Sequence, residues 1–88
     1  MKLIVPLQLQ KITQASELTF DSKTINEFFN DFIAKFPAVK ERLLDKKNGI
    51  NKFINVYVND EDIRFLEGVN TKLTKADIVY IIPSLAGG

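Results

Sequence analysis

"TINEFFNDFIAKFP", residues 24–37, is the stretch on which the architecture turns. Thr24 followed three residues later by Glu27 is a capping box, in which each side chain answers the other's backbone N–H at a helix start. Ile25, Phe28, Phe29, Phe32, Ile33 and Phe36 then recur at helical spacing and make one wide apolar stripe. Pro37 cannot continue a helix and ends this one. A stripe so rich in phenylalanine reads as the main donor to a hydrophobic core and not as a ligand box.

Upstream, residues 2–9 set Leu3, Val5, Leu7 and Leu9 against Lys2, Ile4, Pro6 and Gln8, the period of a strand with one strongly apolar face. Pro6 then demands an edge position or a bulge, where no N–H is needed. After the polar "QKITQAS", "ELTF" (17–20) reads as a second strand, and two strands so close suggest a hairpin. Downstream, "AVKERLL" (38–44) supplies further helical turns with Val39, Leu43 and Leu44 inward, and "DKKNGINK" (45–52) is a polar loop turning at Asn48-Gly49. "FINVYVN" (53–59) alternates Ile54, Val56 and Val58 with Phe53, Asn55 and Tyr57, as a half-buried strand does. "NDED" (59–62) lacks the spacing of a calcium loop and reads as a turn with Asp60, Glu61 and Asp62 in solvent. "IRFLEG" (63–68) is expected to return as a short strand, "TKLTKAD" (71–77) to be a loop with a brief turn at 71–73, and "IVYIIP" (78–83) to be the last strand.

Strands on either side of one long amphipathic helix give a two-layer α+β domain, its mixed sheet of four to five strands curled over the helix. A ubiquitin-like roll, with the first and last strands side by side in the centre, is one such arrangement, and periodicity alone does not select it. With 88 residues, 45% hydrophobic and 26% charged, the chain has the makeup of one soluble domain with a single core. It divides into a domain at 1–82 and a C-terminal tail at 83–88. A formal charge of +1 gives no general attraction to nucleic acid or to an anionic membrane. With no Cys and no His, disulfides, thiolate nucleophiles, imidazole bases and the usual zinc sites are all excluded. The run "MKLIVPLQLQ" has no secretory pattern and no segment approaches a membrane span, so a cytoplasmic protein is expected. Asp60, Glu61 and Asp62 are the only dense carboxylate group, and nothing beside them supplies a pocket, so the chain reads as no enzyme in its own right.

The chemistry lies at the end of the chain. In the last strand Val79 and Ile81 point to the core if alternation holds, which turns Ile78, Tyr80 and Ile82, with Tyr57 across the sheet, to the other face. Those side chains either form an exposed apolar patch or are covered by residues 38–52, and the pattern leaves both open. From Pro83 to Gly88 there is no charge and nothing bulky after Leu85, so an extended tail of roughly 20 Å can thread a narrow cleft. Its tip offers only the Gly88 carboxylate, a stable anion and poor electrophile. ATP is the standard activator, making a mixed anhydride that a thiol, sulfide or amine can attack. Gly87-Gly88 leaves the reacting carbonyl unhindered, although a frayed end or a cloning boundary also finishes on two glycines.

The order of strands and helix and the terminal "LAGG" resemble the ubiquitin-like sulfur carriers of the molybdopterin synthase small-subunit (MoaD) and ThiS type, across nearly the whole chain. "FINVYVNDEDIRFLEG" (53–68), "DIVYIIPSLAGG" (77–88) and the inserted "AVKERLLDKKNGINK" (38–52) are similar to the longer, CysO-type carriers that feed sulfur to cysteine synthesis. The resemblance implies a β-grasp fold and no bound cofactor. It implies that an E1-like enzyme uses ATP to adenylate Gly88, whose end then becomes a thiocarboxylate. Leu85, Ala86 and Gly87 would enter the partner's cleft, while Ile82, Tyr80 and Tyr57 would dock against its surface. The implied acceptor is a pyridoxal-phosphate-dependent cysteine synthase, with a metalloprotease releasing the product. In the molybdopterin branch it is instead the large subunit of molybdopterin synthase. A modifier joined to lysines of other proteins, and a passive interaction module sharing only the fold, are the readings from other classes.

Overall fold

The computed structural model describes residues 1–83, and its first departure from strand periodicity comes at Pro6. Strand β1 covers only Lys2–Ile4, and Leu7–Thr13 form a helix, α1. The strand expected over 2–9 is thereby corrected, along with the edge or bulge assigned to Pro6. That proline holds extended backbone (φ −66°, ψ 152°) immediately before the helix, where its missing N–H has no partner to lose. Leu9, Ile12 and Thr13 satisfy helical spacing, and all three turn inward, which strand alternation would not allow. Strand β2 (Glu17–Thr19) then lies antiparallel to β1 with Leu3 opposite Leu18. The expected pairing is present, but a helix replaces the tight hairpin turn.

Helix α2 (Ile25–Lys35) begins where the capping residues place it. The Thr24 hydroxyl accepts the Glu27 N–H at 3.1 Å, while the reciprocal bond to the Glu27 carboxylate is absent among the described residues. Replacing Thr24 by Ala is expected to cost about 1 kcal/mol, read as a lower denaturation midpoint at unchanged m value. A midpoint that does not move would show the hydroxyl bond to be replaceable by water. Ile25, Phe28, Phe29 and Phe32 are buried, and Ile33 and Phe36 pack on the margin of the core. The Phe28 ring stacks on Phe32 at 5.6 Å, and Phe20 meets both edge-on at 5.4 and 5.8 Å. After Pro37 a 3-10 turn (Pro37–Val39) leads into a short helix, α3 (Lys40–Leu43). Val39 and Leu43 are fully buried and Leu44 partly so, as expected.

Strands β3 (Ile54–Val58), β4 (Glu61–Asp62) and β5 (Ile78–Pro83) complete a sheet in the order β2-β1-β5-β3-β4. Only β1 and β5 are parallel, and they run side by side at its middle. This is the β-grasp, ubiquitin-like topology: Leu3, Val56, Val58, Val79 and Ile81 face the phenylalanines of α2 from the sheet.

The strand expected over 63–68 does not form. Ile63–Phe65 and Gly68–Asn70 are 3-10 turns, and the partner of β3 is the acidic pair Glu61–Asp62. Asp62 causes this by accepting the Arg64 N–H at 2.8 Å, which rolls the chain into a turn just after the ladder begins. Farther on, the loop at 71–77 is tied to the start of α2, with Ile25 N–H donating to the Thr71 carbonyl and Leu73 N–H to that of Lys23.

Candidate functional site

Strand β5 carries the chain from the middle of the sheet to its last described residue, so its two faces decide what a partner meets before the tail. Val79 and Ile81 are buried against α2, which turns Ile78, Tyr80 and Ile82 to the opposite face. Register assembles the rest of that face. Tyr80 lies between Ile4 of β1 and Tyr57 of β3, Tyr57 lies opposite Asp62, and Ile82 lies opposite Asn55. Segment 38–52 packs on the helix side, where Val39 and Leu43 enter the core, so it leaves this face uncovered. Ile82 is 46% exposed, and Ile4, Tyr57, Ile78 and Tyr80 are half-buried.

Pro83 pairs with Ile54, which puts the exit of the tail beside the start of β3. Phe53 stands exposed at this end, with the Lys52 Nζ 5.2 Å from its ring centroid. β1 runs parallel to β5, so the start of α1 follows at this end too, with Leu7 77% exposed. Sequence reasoning placed Leu7 on the apolar face of a strand. The signal that finds it is Pro6, read as a helix-start residue and not as a strand interruption. Leu85, Ala86, Gly87 and Gly88 lie outside the described residues.

The acidic group at 60–62 is corrected in one member. Asp60 and Glu61 are exposed as expected, but the Asp62 side chain is only 5% exposed. Its carboxylate receives the Arg64 guanidinium as a fork, with Nε at 3.1 Å from both oxygens and Nη2 at 2.7 Å from Oδ2. Hydrogen bonding from Arg64 holds the Asp62 carboxyl below the usual carboxylate range, against the opposing pull of burial. A depressed value means that this stabilisation is complete above the unfolded-state value of about 4 and is lost as pH falls through the folded-state value. Asp62→Asn is expected to be less stable than the wild type at neutral pH and to converge on it in acid, read by urea titrations across pH. A gap that stays constant into acid would remove the charge from the explanation.

At the opposite end of β5, the Asp77 carboxyl is also held low, first by the Thr74 N–H at 2.8 Å and then by the Asn59 amide at 3.1 Å. Asn59 in turn accepts the Ile78 N–H at 3.0 Å, clamping the β3–β4 turn to the start of β5. These acids are structural clasps. Among the described residues no three Asp or Glu side chains gather as a metal site would require. Nor is any helix among them long and apolar enough to cross a membrane.

Three relatives resemble the chain closely. The sulfur carrier protein CysO of Mycobacterium tuberculosis is 39% identical over 67 residues, 74% of this chain and 72% of that one. Its crystal structure superposes with a TM-score of 0.87 at 30% identity, covering 96% and 98% of the two chains. The crystal structure of the Amycolatopsis orientalis BexX/CysO complex matches with a TM-score of 0.86 at 33% identity, over 99% and 98%. The solution structure of small archaeal modifier protein 1 from Methanosarcina acetivorans matches at 0.85 and 27%, over 99% and 94%. The ThiS family profile matches residues 3–88, and with the identity to CysO this shows that the chain belongs to the ThiS family.

Proposed function

We propose that the protein is a sulfur carrier for cysteine synthesis, acting at Gly88. The observation that carries the reading is the 39% identity to a protein named as the sulfur carrier CysO. An E1-like enzyme joins the Gly88 carboxylate to the AMP moiety of ATP and releases pyrophosphate. Sulfide displaces AMP and leaves a thiocarboxylate; a persulfide that displaces AMP leaves an acyl disulfide instead, whose S–S bond a thiol then cleaves, becoming a disulfide itself, to give the same thiocarboxylate. On a pyridoxal-phosphate-dependent synthase that soft anion takes the place of the leaving group on an activated serine derivative; the thioester so formed passes its acyl group from sulfur to the cysteine amine, and a metalloprotease hydrolyses that amide to free cysteine and the Gly88 carboxylate. All the catalysis belongs to the partners; this chain supplies the reacting end and the surface that presents it. The cysteine branch is tested by offering the thiocarboxylated protein to such a synthase with activated serine. A cysteine adduct on the carrier is the expected product. Sulfur delivered only in the presence of a molybdopterin synthase large subunit would move the protein to that branch.

The open face fits the presenting role, with Ile82, Tyr80 and Tyr57 as the docking side chains immediately before the tail. Ile82→Asp is expected to raise the KM for the activating enzyme roughly tenfold or more with at most a small change in the folding midpoint, because Ile82 is 46% exposed and lies outside the core. An unchanged KM would remove this face from the interface.

The likeness to small archaeal modifier protein 1 supports a second reading, conjugation of Gly88 to lysines of other proteins. Covalent adducts of the tagged protein in cell extract, dependent on ATP and on Gly88, would favour it over carriage.

A further inference from the structure

Charge is segregated along this nearly neutral chain. Residues 35–52 hold Lys35, Lys40, Arg42, Lys46, Lys47 and Lys52, half of the 12 cations, against only Glu41 and Asp45 of the 11 acids. None of the six makes an ion pair among the described residues, where the salt bridges are Lys2–Glu17 and Asp62–Arg64. Asp45 makes no ion pair with these cations among the described residues; its Oδ1 accepts the backbone N–H groups of Lys47 and Gly49 at 2.8 and 2.9 Å, and the segment keeps an excess of positive charge. The same loop is closed by Asp45 N–H on the Gly49 carbonyl and Asn51 N–H on that of Leu43, both at 2.8 Å, with Asn48 left-handed at φ 62°. A polar stretch is thus built into a clasped hairpin that holds Lys46 and Lys47 in water. It runs on to Lys52, two residues before Ile54, the residue paired with Pro83. The basic surface therefore continues into the exposed Phe53 and Ile82 at the exit of the tail.

We propose that the hairpin with Lys46, Lys47 and Lys52 is an electrostatic docking surface for an acidic protein face bordering the cleft that receives the tail. This rests on the carrier reading for the identity of that partner. A protein face is favoured over nucleic acid because the lysines adjoin apolar side chains at the tail exit and because the chain as a whole is close to neutral.

The test compares two charge-matched variants, K46E/K47E and K72E/K75E, the second at the opposite end of β5. Binding to the immobilised E1-like enzyme of the source organism is measured without ATP, at low and at raised ionic strength. We expect K46E/K47E to bind roughly tenfold more weakly at low salt and to approach the wild type at high salt, with K72E/K75E close to the wild type throughout. Equal losses in both variants, or no loss in either, overturn the proposal. So does a single-stranded oligonucleotide that binds the wild type more tightly than the enzyme does. K46Q/K47Q, with an intermediate loss at an unchanged folding midpoint, separates the charge effect from unfolding. Intact mass after addition of ATP and sulfide reads carriage separately. Binding that depends on the hairpin lysines without sulfur gain would sink carriage alone, and sulfur gain with binding indifferent to those lysines would sink the docking surface alone.

Discussion

Deletion of Gly88 is expected to abolish thiocarboxylate formation and to leave the folding transition where it is in the wild type. On the carrier reading the reacting carbonyl is that of Gly88, so removing it withdraws the carboxylate by about 3.5 Å from wherever a partner holds the tail. A misplacement of only about 1 Å from a reactive geometry can cost roughly a hundredfold in rate, so no restored reaction at Gly87 is expected. No loss of stability is expected, because among the described residues the buried side chains of β5 end at Ile81 and its ladder at Pro83. Intact mass and thermal melting on the same sample separate the two effects. A shortened chain that takes up sulfur at the wild-type rate would place the chemistry elsewhere.

Phe28→Ala has the largest expected effect on stability. Phe28 is fully buried, stacks on Phe32 and meets Phe20 and Phe29 edge-on, so its loss opens a cavity between α2 and the sheet. Truncations of this kind cost about 3–5 kcal/mol, against a total of about 5–15 kcal/mol for a domain. The variant should unfold at a much lower urea concentration or fail to fold at physiological temperature. Phe65, 82% exposed on the 3-10 turn after β4, is the contrasting case, and its replacement by Ala should stay within about 0.5 kcal/mol. Similar losses at both positions would mean that the core is not organised around α2.

The difference between these phenylalanines marks how far the sequence reaches. Helix α2 is legible because cap, stripe and terminating proline all agree over one long element, β3 because its β-branched residues alternate, and β5 because it is a continuous β-branched and aromatic run closed by a proline. Leu7–Thr13 is not legible, since a short apolar run fits both periods and only packing chooses between them. The turns at 63–70 depend on Asp62 folding its side chain back onto Arg64, an interaction with no periodic signature. Of the candidate site, the outward facing of Tyr80, Ile82 and Tyr57 follows from alternation alone. That the face is left open depends on segment 38–52 packing against α2, a long-range choice invisible in local pattern. The clasped lysine hairpin was legible only as a polar loop, because its rigidity comes from Asp45 binding backbone N–H groups.

On the carrier reading, the end of the chain takes up sulfur. The most direct test is the intact mass of the full-length protein after incubation with an E1-like enzyme of the source organism, ATP and a sulfur source. A gain of about 16 Da, oxygen exchanged for sulfur, mapped by fragmentation to Gly88, is the predicted result. An unchanged mass, with the same enzyme shown to be active on another carrier, would contradict it.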